Sequence, residues 1–308
     1  MNPLRSALLA GSQSAWLRER ATRYQFVKRA VSRFMPGETL DEALRAAETL
    51  RGQGLATILT CLGENVENAA EADAVVRHYV EAFDRIAAAG LDAWISIKLT
   101  QLGLDQDREL AYRNLEQLAQ CAAAHKNQLW IDMEGSAYTD VTLELFGRLR
   151  RRHANIGVAL QAYLKRTAAD LERLLPLGPS IRLVKGAYRE PAAIAFPSKR
   201  DVDRNFFALA QRLLSPAARQ AGAWVAFGTH DEALIQKLRA EVAALNVPRE
   251  AFEFELLYGI QTAQQTGLAR AGFPTRVLIS YGEYWFPWYM RRLAERPANL
   301  LFVLRHLF

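Results

Sequence analysis

A chain of 308 residues, half of them apolar, has enough material for one large domain or two small ones with a sizeable core. Two cysteines far apart, Cys61 and Cys121, exclude a disulfide framework and fit a reducing cytosol, while five histidines show no metal-ligand spacing. The net charge of +6 is spread along the chain without a nucleic-acid-binding module, and no apolar run approaches the roughly 20 residues of a membrane span.

The first 35 residues carry seven Lys/Arg against one acid, Glu19. This basic stretch lacks a secretory apolar region of adequate length, although its Arg-rich, acid-poor character is that of a transit peptide. Residues 8–34 are predicted helical with an apolar stripe, and a second helix is predicted over 40–50, starting near Glu38-Thr39. Both pack outside the main fold or carry an association surface. The apolar end of the chain, residues 300–308, has the same two readings.

From residue 56 onward short apolar runs alternate with amphipathic ones. Strands are predicted at 56–61, 93–99, 128–133 and 156–161, then at 181–185, 223–228, 252–257 and 277–280. Helices are predicted between them at 105–124, 141–151, 167–175, 201–214 and 232–245. Eight strands alternating with helices at this spacing predict an α/β protein of the (β/α)8 barrel type. An open doubly wound sheet is the rival, but no Gly-x-Gly-x-x-Gly turn follows the first strand. The resulting division is a helical extension over residues 1–50 and a barrel over 51–308, forming a single domain overall.

In such a barrel, reactive groups sit at the carboxyl ends of the strands. The polar residues of this chain gather there: Lys98 after the second strand, Asp132 and Glu134 at the third, Gln161 at the fourth, Arg182 and Lys185 on the fifth, Thr229 and His230 at the sixth. Ionisable groups at strand ends are common, so a lone Lys98 or His230 means little. Arg182 differs, because a charge inside an apolar strand needs a partner or a cavity. Residues 185–188, Lys-Gly-Ala-Tyr, offer backbone N–H groups and a cation, equipment for a pyrophosphate. The chain shows no nucleophile motif for acyl transfer, so an organic cofactor is expected to carry the hard step.

The last helical run is Trp288-Tyr-Met-Arg-Arg-Leu-Ala-Glu-Arg-Pro297. On a helix Arg291 and Glu295 share a face, with Arg292 about 100° around. An ordinary surface ion pair, worth about 0.3–0.5 kcal/mol, is the plain reading. Two guanidinium groups beside a carboxylate also suit the two ends of an amino acid. Together with the cations on the strand rim, they point to an anionic ligand.

The segments Leu183-Val-Lys-Gly-Ala-Tyr188, Thr229-His230, Phe254-Glu-Leu-Leu-Tyr-Gly259 and Tyr281-Gly through Pro297 resemble the flavin-dependent proline dehydrogenases. The Arg189-Glu-Pro191 continuation and Asp201-Val-Asp-Arg-Asn205 look like the short, monofunctional bacterial form. Arg33-Phe34, Gly54 and Leu62-Gly-Glu64 extend the likeness over nearly the whole chain. The resemblance implies a distorted (β/α)8 barrel holding FAD at the strand carboxyl ends, with the last helix over the mouth. It implies oxidation of L-proline to 1-pyrroline-5-carboxylate, with electrons passed on to a quinone or another acceptor.

Carried over residue by residue, Arg291 and Arg292 grip the substrate carboxylate, Glu295 meets the amine and Lys98 approaches from the other side. Tyr188 packs in the site. Arg182 lies beside the flavin's reactive nitrogen, and Asp132 orients neighbouring cations. Met133, Gln161, Lys185, Gly186, Ala187, Thr229 and His230 fall on the family's FAD contacts. Leu278 and Trp288 stand where family members commonly carry Tyr, and Ser280 replaces a usual Pro. Two alternatives remain: a substituted cyclic amino acid such as hydroxyproline as substrate, or a flavin-binding barrel with a regulatory role. The expected location is cytoplasmic, with peripheral contact at the inner face of the membrane as one option, since the basic start and apolar end suit it.

Overall fold

Eight parallel strands pair each with the next in sequence, and the last closes on the first, in a computed structural model that describes residues 31–286 and 288–290. The strands are β1 Ala56–Cys61, β2 Ala93–Ile97, β3 Leu129–Ile131, β4 Ile156–Gln161, β5 Ser180–Val184, β6 Trp224–Gly228, β7 Phe252–Leu257 and β8 Thr275–Tyr281. The helices are α1 Leu40–Arg51, α2 Ala69–Ala88, α3 Arg108–Ala124, α4 Thr139–Arg150, α5 Thr167–Leu174, α6 Lys199–Leu214, α7 Pro216–Gln220, α8 Glu232–Ala244 and α9 Thr262–Arg270. The predicted (β/α)8 barrel is the observed fold.

Strand alternation divides the residues by chemistry. Leu59, Ile95, Ile97, Ile131, Val158 and Leu183 belong to the large apolar core that joins the strands to the surrounding helices. Residues of the opposite parity face inward, and many are polar or aromatic: Trp94, Ser96, Trp130, Asp132, Arg182, Glu253, Glu255 and Arg276 contact one another inside the barrel. Tight packing there rests partly on small residues. A Cβ on Gly157 would come within 2.5 Å of the Trp130 ring, and Arg182 is flanked across the ladder by Ala159 and Ala226.

Strands β2 and β3 end earlier than predicted, and β8 is longer. The second stops at Ile97 because Leu99–Leu102 turns into a 3-10 helix, and the third covers only Leu129–Ile131. The residues beyond, such as Leu99 and Met133, remain buried after the ladder ends, so hydropathy alone extends both strands too far. The eighth is longer than predicted, because it opens with Thr275 and the buried charge of Arg276 and runs on to Tyr281.

Helix α1 begins at a capping box in which the Thr39 hydroxyl accepts from the Glu42 N–H and the Glu42 carboxylate accepts from the Thr39 N–H at 2.9 Å. It packs against β1 and β8, the place that a regular barrel gives to the helix following its eighth strand. The chain after β8 instead turns helical at residues 285–286 and 288–290, where Trp285, Phe286, Trp288 and Tyr289 pack with Val31, Phe34 and Met35. The Trp285 indole N–H donates to Glu38 Oε1 at 2.9 Å, tying the two segments together. Residues 1–30 and 291–308 lie outside the described residues, and with them most of the predicted first helix, the apolar end and both associated membrane-contact readings. Among the described residues no helix is long and apolar enough to cross a membrane.

Candidate active site

A cavity of about 410 Å³ opens at the carboxyl ends of the strands, within the size range of small-molecule sites. Its floor is a charged layer held by four strands. Arg182, at the middle of β5, is only 3% exposed. Its Nη1 donates to Asp132 Oδ1 and to Ser96 Oγ, each at 2.9 Å, and its Nε donates to Glu255 Oε2 on β7. The guanidinium carbon lies 4.6 Å from the Trp130 ring centroid. A buried arginine is tolerable only when its charge and donors are met this way. Its Nη2, however, is buried with no hydrogen-bond partner among the described residues.

Asp132 links two cations. Its second oxygen lies 3.5 Å from Lys98 Nζ, and Ser96 Oγ donates to its first at 2.7 Å. Lys98, one residue past the end of β2, lines the cavity with Asp132 and Arg182. Gln161, the last residue of β4, donates its amide to the Met133 and Glu134 carbonyls at 3.3 and 3.2 Å. That leaves its Oε1 buried at the cavity as an acceptor without a partner among the described residues.

Beyond β5 the chain forms the predicted Lys-Gly-Ala-Tyr loop along one wall of the cavity. Gly186 has φ +111°, and a Cβ there would lie 2.2 Å from the Tyr163 ring, so this turn requires glycine. Lys185 Nζ is held by Asp203 and, at 2.8 Å, by Asp231. Thr229 and His230 continue the wall after β6. The Leu257 backbone N–H donates to His230 Nε2 at 3.1 Å, which fixes the orientation of the imidazole.

Met133, Ala187, Tyr188, Leu278 and Trp288 also line the cavity, Trp288 arriving from the segment across the mouth. Arg291, Arg292 and Glu295 lie outside the described residues, just past Met290. Glu134 takes no part in the lining: Thr100 donates to it through its backbone N–H at 3.2 Å and its hydroxyl at 2.7 Å, and burial pushes its carboxyl up. Sequence reasoning did not single out Glu255 or Ser96. The alternation in Phe252-Glu-Phe-Glu-Leu-Leu257 was the available signal, since it turns both acids to the face opposite the phenylalanines.

The arrangement accommodates a flavin. A buried guanidinium N–H and amide oxygen that are unengaged among the described residues meet the needs of a polar ring edge, and the glycine turn with Lys185 suits a diphosphate. The apolar patches from Leu256, Leu257 and Leu278 suit a flat ring system.

The family model described as proline dehydrogenase matches residues 43–305. Proline dehydrogenase 1 of Bacillus subtilis subsp. natto is 38% identical over 303 residues, covering 98% of both chains. Proline dehydrogenase of Deinococcus radiodurans is 36% identical over 280 residues, covering 89% of this chain and 88% of that one. Among solved structures, proline utilization A (PutA) from Bdellovibrio bacteriovorus superposes with a TM-score of 0.79 over 87% of this chain at 22% identity, a likeness of fold. The chain spans about a third of that protein's length (32%).

Proposed function

This chain belongs to the proline dehydrogenase family, and from that premise we propose that it oxidises L-proline to 1-pyrroline-5-carboxylate with FAD in the cavity at the strand carboxyl ends. The observation that carries the reading is the convergence of Lys98, Asp132 and Arg182 on a glycine-turned, partly apolar cavity. The chemistry that FAD supplies when bound is acceptance of a hydride from the ring carbon next to nitrogen.

Arg182 and Gln161 would hold the flavin ring, and Lys185, Gly186 and Ala187 would meet its diphosphate, with Met133, Thr229 and His230 as further contacts. Arg182, fixed by Asp132, Ser96 and Glu255, presents positive charge where negative charge accumulates, without having to reorganise. Lys98 and the pair Arg291 and Arg292 clamp the substrate carboxylate, Glu295 meets the amine, and Tyr188, Leu278 and Trp288 bound the ring. Fixing the carboxylate sets the angle of the reacting carbon, mainly an orientation effect. In this division of labour residues 51–308 form the catalytic barrel, and residues 1–50 are a helical extension that lends α1 to its wall. The electron acceptor is a quinone or another oxidant, reached by peripheral membrane contact if it resides in the bilayer.

The deciding experiment is anaerobic mixing of the flavin-loaded protein with L-proline. Bleaching of the flavin absorbance is expected; a yellow protein that stays yellow with proline and with 4-hydroxyproline has another task. Arg291→Ala and Arg292→Ala are each expected to lower kcat/KM for proline by about 10- to 150-fold, the loss of one charge-assisted contact of about 1.5–3 kcal/mol, with flavin content kept. Unchanged steady-state kinetics in both variants would remove them from the substrate clamp.

Leu278 and Trp288 both face the cavity, so their departure from the family's tyrosines changes its volume and its hydroxyl inventory. Relative kcat/KM for proline, 4-hydroxyproline and a larger ring analogue is expected to shift in Leu278→Tyr/Trp288→Tyr. If every ratio stays put, neither position shapes specificity.

A further inference from the structure

Strand β7 carries two acids, Glu253 and Glu255, each 4% exposed inside the barrel. Their surroundings differ. Glu253 pairs with Arg276 at 3.1 Å, and Arg276 also reaches Asp92 at 2.7 Å and lies 3.4 Å from the centroid of the Trp94 ring. This lower layer borders a hollow at the opposite end of the barrel, lined by Trp94, Trp224 and Phe252. Glu255 stands one layer higher, borders the active-site cavity and accepts from Arg182 Nε.

Arg182 therefore has two carboxylates, Asp132 from one side and Glu255 from the other. With Lys98 on Asp132, the cavity floor holds two cations and two anions. One carboxylate already anchors the guanidinium, so the second has two further effects. It fixes the rotation of the guanidinium plane, because bonds at Nε and Nη1 together leave Nη2 as the edge unengaged among the described residues. It also cancels positive potential at the place where negative charge accumulates.

We propose that Glu255 is a positioning residue that aims the Nη2 edge of Arg182 at the bound flavin and, through its own charge, holds the flavin's reduction potential down. This rests on the reading that FAD occupies the cavity. Glu253 serves as the internal comparator. Its charge is met by Arg276 one layer below and it does not line the active-site cavity, so an amide there removes charge farther from the flavin.

The test compares the flavin-loaded wild type, Glu255→Gln and Glu253→Gln by flavin content and by midpoint potential measured against reference dyes. Glu255→Gln keeps a near-isosteric side chain and removes the charge. It is expected to favour reduced over oxidised flavin by about tenfold, a rise of about 30 mV for a two-electron couple. Glu253→Gln is expected to leave the potential where it was. A fully loaded Glu255→Gln with an unchanged or lower potential overturns the proposal, as does an equal shift in Glu253→Gln.

If Glu255→Gln does not retain flavin, Glu255→Asp decides. It keeps the charge but withdraws from Nε, so a wild-type potential with at least about tenfold slower reduction by proline is expected. A wild-type reduction rate there overturns the positioning role. A wild type that binds flavin but is not bleached by proline defeats the proline reading alone, because the potentials still measure the Glu255 charge. A wild type that binds no flavin defeats both.

Discussion

Arg182→Met is expected to lose fold stability and flavin chemistry together. Methionine fills much of the volume, but it leaves Asp132 and Glu255 facing each other without the cation between them. Removing one member of a buried ion pair costs about 3–5 kcal/mol, more than exposed pairs contribute, because the remaining charge keeps its desolvation penalty. Urea unfolding of the flavin-free variant should show that loss, and adding Glu255→Gln should recover part of it. In the loaded variant the flavin potential should fall and reduction by proline should slow. A variant that matches wild type in stability and in potential would show that Arg182 neither balances the barrel interior nor touches the flavin.

Gly186→Ala is expected to abolish tight flavin binding while the barrel still folds. Two independent penalties act at this position. A side chain at φ +111° is strained, and the added Cβ lies 2.2 Å from the Tyr163 ring. The strain costs about 1–2 kcal/mol and overpacking about 1–3 kcal/mol, so the loop will shift before the core does. Flavin affinity should drop by at least about tenfold, measured by fluorescence titration of apoprotein. Gly186→Ala/Tyr163→Ala removes the collision but not the strain and should recover only part of the affinity. Wild-type affinity in the single variant would mean that the loop does not hold the cofactor.

Much of the barrel was legible because a parallel strand buried on both faces leaves a short, almost unbroken apolar run, and eight such runs spaced by helices admit few architectures. Strand β4 shows this well: Ile156–Gln161 reads directly from hydropathy, with its single polar residue at the cavity end. The ends of β2 and β3 were obscured because residues leaving the ladder stay buried under the rim loops. The partner of Arg182 was foreseeable in kind but not in identity. A buried cation demands an anion, yet Asp92, Asp132, Glu253 and Glu255 all lie on or beside strands, and only the barrel's stagger assigns Glu253 to Arg276 and Glu255 to Arg182. The place of α1 was not legible either, since its amphipathic pattern fits any apolar surface.

That place has a consequence for how the protein is made. The apolar face of α1, with Leu40, Leu44, Ala47 and Leu50, leaves the ribosome well before β8, part of the surface it covers. Strand β1 likewise waits for β8 to cover its open edge. Until β8 is made the nascent chain therefore carries an uncovered helix face and an unpaired strand edge. Closure joins distant parts of the sequence in one late step, the kind of topology that folds slowly and is vulnerable to aggregation before completion. Chaperone dependence during synthesis, rather than instability of the finished barrel, is the expected weak point of its production.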